Sequence, residues 1–104
     1  MSNHSENALT LQLIVKDLKL DDELLKEETT SDQSVWNLLL PVIRYLLDHD
    51  FERLLQGLYR IDVGEEKVKS ILALEKPENI AERLTDEIIA REKQKIAFRK
   101  KYSG

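Results

Sequence analysis

The stretch 35-VWNLLLPVIRYLL-47 is apolar around almost its whole circumference when projected as a helix. A helix of that kind is normally central and buried, so this segment sets the expectation of an all-helical core. Ser31 or Asp32 can cap its start with a side-chain oxygen. Pro41 lacks the N–H that would bond the Asn37 carbonyl and crowds that turn, so a kink or restart is expected there. The run is only 13 residues long and contains Asn37 and Arg44, whereas a membrane span needs about 20 apolar residues.

Reading downstream, Asp48–His49–Asp50 makes a break, and Asp50 can cap the next helix. Phe51, Leu54, Leu55 and Leu58 then recur at i, i+3, i+4 and i+7, a stripe expected to face a core. Gly57 lies inside this helix at a cost of about 1 kcal/mol relative to Ala, which close approach of another helix could explain. Tyr59 and Ile61 are expected to close the core beneath the following turn. Asp62 and Glu65 have capping-box spacing, with Val68, Ile71 and Leu72 as the inner face of a further helix. Pro77 suits the first turn of a final helix whose Ile80, Leu84 and Ile88 recur every four residues beside Ala81.

Reading upstream, 9-LTLQLIV-15 alternates as a strand would, but Leu11, Ile14, Leu18 and Leu25 also fit helical spacing. The composition favours a helix from about Glu6 to Leu18, with a short second one starting at Asp21 or Asp22. The first five residues are expected to be disordered. Gly and Pro are scarce, which argues against a strand-rich domain.

The chain has 104 residues, a length that suits one domain. Cysteine is absent, which excludes disulfides, thiolate nucleophiles and Cys-ligated metal centres. The segment 1-MSNHSENA-8 lacks the basic and apolar regions of a signal peptide, so a soluble cytoplasmic protein is the expectation.

Net charge is −4 but unevenly spread. Asp17 to Asp32 holds seven acids against two lysines. The stretch 91-REKQKIAFRKK-101 holds six basic residues against one acid, Glu92. Arg91, Lys93, Lys95, Phe98, Arg99, Lys100, Lys101 and Tyr102 are therefore the candidate interaction residues. They lie on a helix end that projects, or docks elsewhere, beyond Ala90. Two solvated helix faces would explain the charges; mutual attraction, within one chain or between two, is the sharper reading.

Chemistry finds little support. His49 lies between Asp48 and Asp50, but consecutive helix positions point about 100° apart and cannot share one ion. The helical spacings of metal sites are missing, and the glycines are isolated rather than gathered in a phosphate loop. The acids Glu82, Asp86 and Glu87 read as an exposed helix surface, with Glu87–Arg91 an i, i+4 pair. No catalytic residue, cofactor or metal is assigned. The pair of helices in 50–72 has helix-turn-helix proportions, yet its second helix would open on Glu65 and Glu66, where DNA would sit.

The segment 51-FERLLQGLYRIDVGEEKVKSIL-72, with 87-EIIAREKQKIAFRKKY-102, resembles a group of small bacterial proteins of unknown function. They share a Leu-Tyr-Arg-Ile-Asp-Val centre and an Ile-Ile-x-Arg-x-x-Gln-Lys-like tail. The resemblance covers the last half of the chain and implies a small helical domain, with no activity attached.

The expectation is an all-α, single-domain bundle of four to six helices, with a central apolar helix kinked at Pro41 and a long C-terminal helix. The expected function is a non-catalytic protein-interaction or assembly module, its partner another protein or a second copy in a homodimer, with no membrane involved. Nucleic-acid binding through the basic C-terminal helix is the second reading. A small enzyme or ligand binder with a pocket invisible in the sequence is the third.

Overall fold

Five α-helices and one short 3₁₀ turn make up the ordered elements of a computed structural model that describes residues 3–29 and 31–102, with only the backbone of Asn3, His4, Ser5 and Tyr102. They are α1 (Asn3–Leu18), the 3₁₀ turn Asp22–Lys26, α2 (Asp32–His49), α3 (Phe51–Ile61), α4 (Glu65–Leu74) and α5 (Pro77–Tyr102). No strand occurs among the described residues, so 9–15 is helical, and the fold is an all-α bundle. The helix α1 begins at Asn3, inside the segment 1–5 expected to be disordered; Met1 and Ser2 lie outside the described residues.

The organising element is α5. It touches all four other helices, and the ion pairs along it set α1, α2 and α4 antiparallel to it. Trp36 Nε1 on α2 donates to Asp86 Oδ1 at 2.8 Å, and Arg44 meets Glu82 at 3.5 Å one layer along. Lys67 on α4 meets Glu87 at 3.2 Å. Between these helices lies one apolar cluster built on Ile14, Leu18, Val35, Leu39, Ile43, Leu46, Leu54, Ile61, Leu84 and Ile88, each almost wholly removed from solvent. The radius of gyration, 13.5 Å, is close to the roughly 13 Å expected for a compact chain of this length.

Local chemistry explains the boundaries. Ser31 caps α2 in a reciprocal box with Ser34, each hydroxyl accepting the other's backbone N–H at 3.1 Å. Asp21 Oδ1 accepts from the Glu23 N–H, and Asp50 Oδ1 from the Arg53 N–H, as the sequence predicts. At the end of α1, Lys19 takes a left-handed conformation, and the Leu20 N–H returns to the Val15 carbonyl at 2.9 Å.

Four expectations are corrected. Asp62 does not cap α4: it adopts φ 67° at the end of α3, where the Val63 N–H reaches back to the Leu58 carbonyl. Gly64 precedes α4 with no side-chain cap, and Glu65 pairs with Lys69. The helix α2 is not buried all round: Asn37, Pro41, Arg44, Tyr45 and Asp48 form one exposed stripe. Pro41 therefore lies on the solvent side, where water can satisfy the carbonyl it leaves unbonded, and the helix continues through it without a restart. Ile61 closes the core, but Tyr59 is 64% exposed. Glu87 pairs with Lys67 and Arg83, not with Arg91.

Gly57 answers to a contact. A Cβ there would come within 2.1 Å of Leu18 Cδ2, so α1 and α3 cross where neither can widen.

Candidate functional site

Two regions merit description: the basic end of α5, chosen from the sequence, and a groove between α3 and α4.

The basic end is drawn into the fold. Arg91 Nε donates to the Asp62 carbonyl at 3.0 Å, and its Nη2 lies 3.2 Å from Asp62 Oδ2. Lys93 pairs with Asp32. Lys95 Nζ lies 3.5 Å from Asp17 Oδ2 and 3.1 Å from Glu92 Oε1. Lys100 approaches Glu6 at 3.9 Å. Asp17 and Asp32 bound the acidic stretch of the sequence, so opposite charges meet here within one chain. The docked part of α5 runs on to buried Ile96, past Ala90. Phe98, Arg99, Lys100 and Lys101 are exposed beyond it, and the Tyr102 side chain lies outside the described residues.

Sequence reading missed Glu92. It looks like a lone acid in a basic run, yet its side chain is 0% exposed. Leu84, Ile88, Glu92 and Ile96 follow at four-residue intervals, and that register was the available signal. Burial, followed by the neighbouring Asp17 carboxyl, raises the Glu92 carboxyl from 4.5 to about 7, with Lys95 opposing the shift.

The α3–α4 groove was also missed. The α3 stripe consists of two adjoining rows. Leu54, Leu58 and Ile61 are buried; Phe51, Leu55 and Tyr59 form the outer row. Phe51 is 40% exposed. Across from this row stand Val68 and Leu72 of α4, enclosing an opening of about 240 Å³. Its charged margin is Asp62, Glu65 and Lys69, and Glu65 lies 3.0 Å from Lys69 Nζ. Phe51 and Tyr59 stand proud, while Leu55, Leu58 and Val68 form the floor.

Other candidates fall into place more simply. The His49 ring packs against Tyr45, with centroids 4.6 Å apart. Among the described residues no group of three or more His, Asp or Glu is arranged to hold a metal ion, and no helix is long and apolar enough to cross a membrane.

No protein-family model, no curated protein and no solved structure matches this chain. The reading of the site therefore rests on its own geometry.

Proposed function

We propose that this chain is a non-catalytic assembly module that pairs with a second copy of itself through the α3–α4 groove. The observation that carries the reading is the exposed outer row of α3. Phe51 and Tyr59 present apolar surface beside an open furrow floored by Leu55, Leu58 and Val68. Knobs and furrow on one face are self-complementary under a two-fold axis, where each residue's contact is repeated in reverse. The margin adds no net charge against a second copy, because Glu65 and Lys69 pair with each other at 3.0 Å. Burial of apolar area, worth roughly 25 cal/mol per Å², supplies the driving force.

The basic α5 end is then a structural tie rather than a binding arm, because Arg91, Lys93 and Lys95 are engaged by carboxylates of the same chain. A cytoplasmic setting belongs to this reading and rests on the cysteine-free composition.

Light scattering across a concentration series tests the proposal. The expected result is a concentration-dependent dimer that Leu55→Lys shifts to monomer while helical content is kept. A wild-type chain that stays monomeric at tens of micromolar overturns it.

A further inference from the structure

Glu92 lies where α5 packs on α1, and neither of its carboxylate oxygens has a hydrogen bond of good geometry among the described residues. Asp17 of α1 turns its own carboxyl toward Glu92. Lys95 Nζ sits 3.1 Å from Glu92 Oε1 and 3.5 Å from Asp17 Oδ2. From α3, Arg60 Nη1 donates to the Asp17 backbone carbonyl at 2.9 Å. From α2, Asp32 is taken by Lys93 on the adjoining flank of α5. Two carboxylates thus share one ammonium, with Glu92 itself fully buried and Asp17 and Lys95 reached by solvent only in part.

An ionised carboxylate only accepts hydrogen bonds, so two of them facing each other have no donor between them. One proton provides that donor and leaves a single negative charge opposite Lys95. Without it, a second negative charge is held in the interior, where charge is costly unless fully paired.

We propose that Glu92, Asp17 and Lys95 form a proton-linked latch: with Glu92 protonated, α5 is fastened to α1, and loss of that proton loosens the docking of the last turns of α5. Carbonyl and ammonium partners on the other helices are already engaged, so rearrangement of the α1–α5 contact is the available relief. The raised Glu92 value places the change near neutral pH.

The test uses the full chain. Side-chain carboxyl NMR follows the Glu92 titration, and amide hydrogen exchange, corrected for its intrinsic pH dependence, follows α5. Glu92 is expected to titrate near neutrality, and protection of residues 92–101 to fall roughly tenfold across the same interval, the factor that one pKa unit represents. Asp17→Asn should move the Glu92 midpoint down, and Lys95→Met should move it up. Glu92→Gln should retain protection on both sides of neutrality. Titration of Glu92 alongside the ordinary surface carboxylates overturns the latch, as does an unchanged pH response in Glu92→Gln. Should that variant fail to fold, the wild-type titration decides alone.

Discussion

At the scale of single residues, Glu92 and Gly57 bear on stability in opposite ways. In the unfolded chain the Glu92 carboxyl releases its proton near 4.5; in the folded chain it holds it to about 7. Between those values the folded state binds more protons than the unfolded state, so stability falls as pH rises through the window. The whole shift corresponds to at most about 3 kcal/mol. Denaturant unfolding at a series of pH values should show that decline in the wild type, superposed on the other groups, and a smaller one in Glu92→Gln. An equal decline in both would remove Glu92 as its source. Gly57 is the reverse case, a destabilising helix residue kept by a contact. Gly57→Ala gains about 1 kcal/mol of helix propensity. The new Cβ meets the buried Leu18 side chain, and overpacking of this kind costs about 1–3 kcal/mol. The expected outcome is therefore no gain, or a net loss, in thermal unfolding. A clear rise in melting temperature would show that the α1–α3 crossing is looser than the structure has it.

At the scale of elements, the helix starts were legible because caps are local. Ser31, Asp50 and Asp21 each accept a backbone N–H two or three residues ahead, an interaction that the sequence alone specifies. Ser31→Ala should cost about 1 kcal/mol in unfolding experiments, since it removes the hydroxyl that accepts the Ser34 N–H; no measurable loss would mean that α2 is held by packing alone. Asp62 was misread for a related reason. An aspartate between two helices can cap the second or turn the end of the first, and the choice rests on Val63 and Leu58 closing over the turn. Whether the stretch beyond Ala90 docks or projects was not legible because Arg91 and Lys95 interrupt the apolar face in composition, while Glu92 and Ile96 continue the Leu84–Ile88 row in position. Ile96 carries the stripe one turn further into the bundle. Truncation after Ala90 should therefore lower the melting temperature, through loss of Ile96 burial together with the Arg91, Lys93 and Lys95 ties. An unchanged melting temperature would mark the end of α5 as dispensable. The exposed ties themselves are worth little singly, typically below about 1 kcal/mol each.

At the scale of the whole molecule, the class of fold was readable from helical period and scarce Gly and Pro, but the order of importance among helices was not. The most apolar segment, α2, keeps a polar outer stripe, while the charge-rich α5 touches every other helix. A long amphipathic helix can serve as spine because its narrow stripe meets several neighbours in turn. The groove could not be read for a similar reason. Whether Phe51 and Tyr59 are covered depends on how α4 is set against α3, which no local pattern fixes. The most direct test of the assembly reading is light scattering on the wild type and on Tyr59→Glu, with circular dichroism confirming that both are folded. The account predicts a dimer for the wild type and a monomer for the variant at the same concentration. A folded wild type that is monomeric throughout, or a variant that dimerises equally well, would contradict it.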